Sequence, residues 1–356
     1  MKKVISVFLV LATLVCLCAG CGKSSEKTTI YVYNWGQYIS EGDEGSIDVI
    51  AEFEKKYPNI KVQYSTFDSN ETMYAKLKNG GITVDVVIPS DYMIGRMRQE
   101  GMLQELNYDN IPNAKFIDAS YRGMAFDPED KYSVPYTWGT TGIIYNSKYV
   151  DEADVTGWEL LWNEKYADKI LMFDNSRDAF GIAEYLLGYS VNTTDEAELQ
   201  ACADKLAEQK PVVQQYVMDQ IFDAMENEEA WIAPYYAGDY LTMVEENEDL
   251  AFYRPDHQGY NVFIDAMCIP TCAQEKEAAE LFINFMCAPE ISAANLDFIG
   301  YSVPASESKQ YLDEDIVNDS VAYPSAEELR NATSFDYLPE DTSRKMESLF
   351  MAVRNG

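Results

Sequence analysis

Tyr260-Asn-Val-Phe-Ile-Asp-Ala-Met-Cys-Ile-Pro270 is the stretch on which the reading of this chain turns. Its β-branched and apolar run spells a strand buried on both faces. Asp265 does not belong in such a strand. An unpaired carboxylate there costs on the order of several kcal/mol, so something must compensate it. Strand residues two apart share a face, so Phe263 and Asp265 point the same way. A ring beside a carboxylate is half of a cage for an organic cation: the ring face attracts an ammonium and packs on its methylenes, and the carboxylate takes the N–H bonds. The alternative is that Asp265 pairs with a buried arginine or caps a backbone turn. The rest of the chain must decide between the two.

A length of 356 residues suffices for two cores, so two lobes are expected. A hydrophobic content of 47% with 24% charged residues places the chain among globular proteins. Sixty acids stand against 27 bases, giving a net charge of −33. Much of that acidity serves solubility, but the surface repels nucleic acid and anionic lipid headgroups and draws in cations. With His257 the single histidine, neither a histidine-based triad nor a multi-histidine zinc site is expected. No metal-ligand spacing appears among the cysteines, and no cofactor is expected. Cys202, Cys268, Cys272 and Cys287 leave one disulfide conceivable, between the 268–272 pair and Cys287.

Residues 1–20 read as a signal peptide. Lys2 and Lys3 precede an apolar run, Val4 to Ala19, that is short for a membrane span. Leu17-Cys-Ala-Gly-Cys21 resembles the lipobox of bacterial lipoproteins, with Cys18 a departure from the usual Leu. Cleavage there makes Cys21 a lipidated N-terminus and residues 21–28 a tether. An uncleaved anchor and plain secretion are the alternatives.

Strands and helices then alternate, which argues for a parallel α/β sheet. Strands are expected at 29–35, 60–67, 84–88, 132–138, 141–146, 169–173, 230–236, 250–254 and 260–270. Helices are expected at 48–57, from a capping box Asp68-Ser-Asn-Glu71 to Lys78, from 92 towards Glu100, at 179–187, at 195–208, at 276–294 and at the C-terminus. In open α/β sheets ligands bind beyond the carboxyl ends of the strands. Those ends carry Trp35 and Tyr38; Ser90, Asp91 and Tyr92; Asp174, Asn175 and Asp178; and Tyr236 and Asp239. Arg177 is the only base among them. Rings and carboxylates suit an aliphatic di- or polyamine and make a poor site for phosphate or a nucleotide. Each residue also has a plainer role. Trp35, Tyr92 and Tyr236 would serve as core aromatics, Asp174 and Asp91 as helix caps, and Arg177 as a brace for a neighbouring acid.

Five runs carry a family resemblance: Asn34-Trp-Gly-Gln-Tyr38, Ser69-Asn-Glu-Thr-Met-Tyr-Ala-Lys-Leu77, Pro89-Ser90, Pro135-Tyr-Thr-Trp138 and Ile299-Gly-Tyr301. They resemble the periplasmic spermidine/putrescine-binding proteins of ABC importers, over nearly the whole mature chain. The resemblance implies a two-lobed periplasmic-binding-protein fold of type II, the Venus flytrap, each lobe a mainly parallel sheet flanked by helices. It implies lobe 1 at 29–137 and 267–305, and lobe 2 at 138–266 and 306–356. It implies a polyamine ligand, permease partners in the membrane and a monomeric, non-enzymatic protein held at the outer face of the bacterial membrane or in the periplasm. By position it assigns ligand contacts to Trp35, Tyr38, Ser90, Tyr92, Asp178, Tyr236, Asp239, Phe263, Asp265 and Tyr301. It thereby favours the cation cage at Asp265. Gly36 departs where a hydroxyl residue is usual, and Asn175 where spermidine binders tend to have Asp. A last family contact near 333–337 finds no match.

Three other readings compete. Tyr235-Tyr236 is similar to the tyrosine pair of ferric-ion binders, and a sugar would also suit rings and acids. Paired carboxylates such as Asp178, Asp239 or Asp265 serve glycoside hydrolases, although no nucleophile motif or phosphate loop accompanies them.

Overall fold

A computed structural model describes residues 27–356. The signal peptide, the lipobox, Cys21 and most of the tether lie outside the described residues. The strands are β1 (Thr28–Trp35), β2 (Ile60–Phe67), β3 (Val86–Val87), β4 (Ser133–Asn146), β5 (Ile170–Phe173), β6 (Val213–Val217), β7 (Ile232–Tyr236), β8 (Leu250–Tyr253), β9 (Tyr260–Cys268) and β10 (Ala332–Thr333). The helices are α1 (Val49–Lys56), α2 (Asn70–Lys78), α3 (Asp91–Gln99), α4 (Ser176–Leu187), α5 (Glu196–Gln209), α6 (Gln220–Glu226), α7 (Ala237–Glu246), α8 (Lys276–Met286), α9 (Pro289–Phe298), the single turn α10 (Glu314–Val317) and α11 (Glu340–Asn355).

The sheet runs β2-β1-β3-β9-β4-β7-β5-β6, with β10 on β9 and β8 on β4. It is mixed. β1, β2 and β3 are parallel at one flank, and β5, β6 and β7 at the other. The middle is antiparallel: β9 runs against β3 and β4, and β4 against β7 and β8. The parallel flanks are the βα units that the alternation predicts, and β4 and β9 are the two long strands that join them.

The core is divided accordingly. One apolar cluster gathers Ile143 to Leu250 with Tyr260 and the C-terminal Phe335 to Val353. Two others, on opposite faces of β1 and β3, gather residues between Ile30 and Tyr136 with Phe263 to Val303. Phe53 of α1 meets Phe282 of α8 edge-on at 5.2 Å there, a fully buried contact of the kind that supplies roughly 1.5–3 kcal/mol per side chain.

Four local expectations differ from the structure. The strands predicted at 132–138 and 141–146 are one strand, β4, because Gly139 is a packing site rather than a break, as is Gly142 further along. A Cβ on Gly139 would lie 2.8 Å from the Phe263 ring, and one on Gly142 would lie 2.4 Å from the Phe252 ring. The helix predicted at 276–294 is two, because Pro289 has no N–H to donate and forces Ala288 into an extended conformation. The strand predicted at 84–88 pairs only at Val86–Val87. The capping box at 68–71 is not formed: Ser69 caps α2 by accepting from Thr72 N, and Glu71 turns elsewhere. β6, α6 and α7 were not anticipated. The Gln214-Gln215 pair hides the strand pattern of β6. The four described cysteines are free, and no described helix is long and apolar enough to cross a membrane.

Candidate functional site

β4 and β9 place the site. Register pairs Thr137 with Asp265 and Gly139 with Phe263. Phe263 and Asp265 face one cavity. The alternate residues Val262 and Ile264 face a second cleft on the other side of the ribbon, with Trp138. The period-2 alternation of the strand is therefore seen directly.

All ten residues singled out in the sequence line the first cavity: Trp35, Tyr38, Ser90, Tyr92, Asp178, Tyr236, Asp239, Phe263, Asp265 and Tyr301. They come from the carboxyl ends of β1, β3, β5 and β7, from β9, and from the turn after α9. The acids sit where those strands enter helices. Asp91, Asp178 and Asp239 occupy the first turns of α3, α4 and α7. A helix N-terminus favours a carboxylate, but here burial outweighs it.

The acids are braced by phenols. Tyr38 donates to Asp265 Oδ2 at 2.7 Å. Tyr236 donates to Asp178 Oδ2 at 2.8 Å, and Tyr92 to Glu71 Oε1 at 2.9 Å. Tyr301 neighbours Asp239. Each hydroxyl orients one carboxylate oxygen and leaves the other for a second donor. Asp265 Oδ1 is buried with no donor among the described residues. Neither the buried arginine nor the turn-capping role offered as an alternative for Asp265 is present among its contacts. The rings also meet one another: Tyr38 and Tyr301 at 4.8 Å, Tyr236 and Phe263 at 5.4 Å, both edge-to-face.

Six carboxylates line the cavity, namely Glu71, Asp91, Asp178, Asp219, Asp239 and Asp265, and no lysine or arginine does. Burial lifts Asp265 to about 6; the Tyr38 bond and the nearby Ser90 hydroxyl oppose the rise and Asp178 adds to it. Burial lifts Asp239 to about 8, with Tyr301 opposing and Asp219 and Asp265 adding. Asp178, Glu71 and Asp91 are raised, by burial first; Asp219, whose residue is exposed, is raised by the partial burial of its carboxyl and by Asp68.

Several minor assignments change. Asp174 does not cap α4; it pairs with Arg354, and Asn175 is the cap, accepting from Asp178 N at 2.8 Å. Arg177 forms no direct salt bridge with an acid among the described residues, although its charge opposes the rise of Glu184, Asp178 and Asp91. It donates to Val191 O at 2.6 Å and Asn192 Oδ1 at 2.8 Å, with its guanidinium 4.2 Å from the Phe335 ring. Asp91 follows the Ser90 cap position, and its carboxylate accepts from Tyr92 N at 2.7 Å. Ser90 itself makes no side-chain cap.

Sequence reasoning missed Glu71, Asp219 and Phe335 as lining residues. Glu71 was read as half of a capping box. Asp219 follows β6, the strand not seen. Phe335 lies in the 333–337 stretch that matched nothing.

Two parallel flanks joined by two long strands, with a cavity lined at strand ends from both, make an architecture suited to holding a solute. The chain belongs to the bacterial extracellular solute-binding proteins, whose family model matches residues 48–324. The spermidine/putrescine-binding periplasmic protein of Escherichia coli K12 is 34% identical over 309 residues, 86% of either chain. A Listeria monocytogenes chain superposes with a TM-score of 0.86 at 37% identity, over 92% of this chain and 99% of that one. The spermidine/putrescine substrate-binding protein PotD of Streptococcus pneumoniae does so at 0.75 and 35%, with the same coverage.

Proposed function

We propose that this chain captures an aliphatic polyamine of the spermidine/putrescine type outside the cytoplasm and delivers it to the permease of an ABC importer. The observation that carries this reading is the set of tyrosine-braced carboxylates lining one cavity that has no basic residue. Asp178, Asp239 and Asp265 neutralise ammonium groups. Trp35, Tyr38, Tyr92, Tyr236, Phe263 and Tyr301 box the methylenes, and Ser90 bonds one amine. The names of the relatives support the ligand class. Tyr236 spends its hydroxyl on Asp178, which leaves no tyrosine pair for ferric ion. A binding role, without turnover, accounts for these ten residues.

The lobes are 29–137 with 267–305, and 138–266 with 306–356. The apolar clusters support this division, and Leu312 and Tyr323 still pack on the first lobe's core as the chain makes its last crossing. The lobes pivot about β4 and β9, where the pairing register shifts between Pro135 and Thr137. A ligand touches both lobes only when they close, so it stabilises the closed state, and drying the cleft strengthens each ion pair. Cys21 carries the lipid anchor, and the protein acts as a monomer.

Isothermal calorimetry with putrescine, spermidine and spermine tests the reading. Saturable binding of at least one at micromolar protein is expected; no binding of any of them ends it. A second check uses Gly238, whose added Cβ would lie 2.4 Å from the Tyr301 ring. Gly238→Ala should push that ring aside at a cost of about 1–3 kcal/mol, weakening binding severalfold. Wild-type affinity in a folded Gly238→Ala protein would remove Tyr301 from the site.

A further inference from the structure

Asp219 opens α6, on the turn after β6. Its carboxylate fills the space that a side chain at position 36 would need: a Cβ built on Gly36 would lie 2.1 Å from Asp219 Oδ2 and 3.1 Å from its Cγ. Gly36 follows β1 and Asp219 follows β6. An acid from one lobe therefore meets bare backbone of the other across the cavity. The absence of a hydroxyl residue at 36 and the presence of an acid at 219 are one feature, because any larger residue at 36 would displace the carboxylate.

We propose that Asp219 is an additional ammonium station, made possible by Gly36, and that it selects polyamines with three or more amines over diamines. The inference rests on the polyamine reading and concerns which member of that class fits. Asp219 stands at the N-cap position of α6, yet its side chain caps nothing. It lines the cavity beside Trp35, Met218 and Phe222, rings and a thioether that suit methylenes. It is exposed, whereas Asp265 is buried, so it marks the mouth and Asp265 the floor. Asp219 reaches the cavity from the turn before α6, against Gly36 after β1, whereas Asp178 and Asp239 reach it from α4 and α7 and Asp265 from β9. It is therefore a station separate from those three acids. A diamine has two charges to distribute and is served by the inner acids. A third ammonium, one alkyl spacer further on, reaches the mouth.

The test is a ratio of affinities, spermidine over putrescine, by calorimetry on the mature protein and on Asp219→Asn, which keeps the side chain's shape. The wild type is expected to favour spermidine, and Asp219→Asn to lower the ratio at least fivefold. Gly36→Ser, which displaces the carboxylate without removing its charge, should lower it in the same direction, with circular dichroism confirming the fold. A ratio in Asp219→Asn within twofold of wild type overturns the inference, as does a wild type that prefers putrescine. A wild type that binds neither amine fails at the polyamine reading itself, before any variant is compared.

Discussion

Asp265→Asn should lose at least tenfold in polyamine affinity while melting no lower than the wild type. Both halves follow from the same environment. Asp265 is 4% exposed, accepts one bond from Tyr38 and has a second oxygen with no donor among the described residues. A buried charge without a cation is a burden on the fold, so the neutral amide, which still accepts from Tyr38, removes that burden. An ammonium in the cleft depends on the charge. Truncating one partner of a buried hydrogen-bonded charge pair costs about 2–5 kcal/mol, roughly 30-fold or more at 1.4 kcal/mol per decade. Asp265→Ala should lose more than tenfold as well, with a lower melting temperature because Tyr38 loses its acceptor. Calorimetry and thermal denaturation on the same samples read both quantities. A loss smaller than twofold in either variant would make Asp265 a structural residue only.

Binding should strengthen steeply as pH rises from 6 to 8, by about tenfold per unit. With no guest bound, Asp239 takes up its proton near 8 and Asp265 near 6, burial being the largest cause for both. Alkyl ammonium groups stay protonated throughout this range, with pKa values of about 10. The guest therefore meets a protonated Asp239 at pH 7 and must expel that proton. Below about 6 the proton on Asp265 must leave too, and the slope steepens. Calorimetry at pH 7 in two buffers of different ionisation enthalpy should show close to one proton released. A pH-independent affinity, or net proton uptake, would refute the assignment. Stability has the opposite sign. A carboxyl whose pKa is raised on folding contributes stability below its unfolded value, and that contribution is lost as pH rises through the folded one. The ligand-free protein should therefore lose melting temperature between pH 6 and pH 8. Saturating polyamine, which holds the acids ionised, should remove much of that slope.

Local pattern determined much of this protein. Alternation marked β1 and apolar β-prone runs marked β2, β7 and β9, and the rule that ligands lie beyond the carboxyl ends of parallel strands picked out Trp35, Ser90, Asp178 and Asp239, all of which line one cavity. Period-2 geometry was enough to put Phe263 and Asp265 on one face. These are short-range facts, carried by neighbours in the chain. What needed tertiary structure was every feature whose partner is distant in sequence. Gly139 looked like a break because the ring that fills its space, Phe263, belongs to another strand. Glu71 looked like a cap because its phenol partner is on Tyr92, across two elements. Asp219 was invisible while β6 was unseen, and its meaning depends on the missing side chain of Gly36 in the opposite lobe. A chain pattern reports which way a side chain points; only the fold reports what stands in front of it.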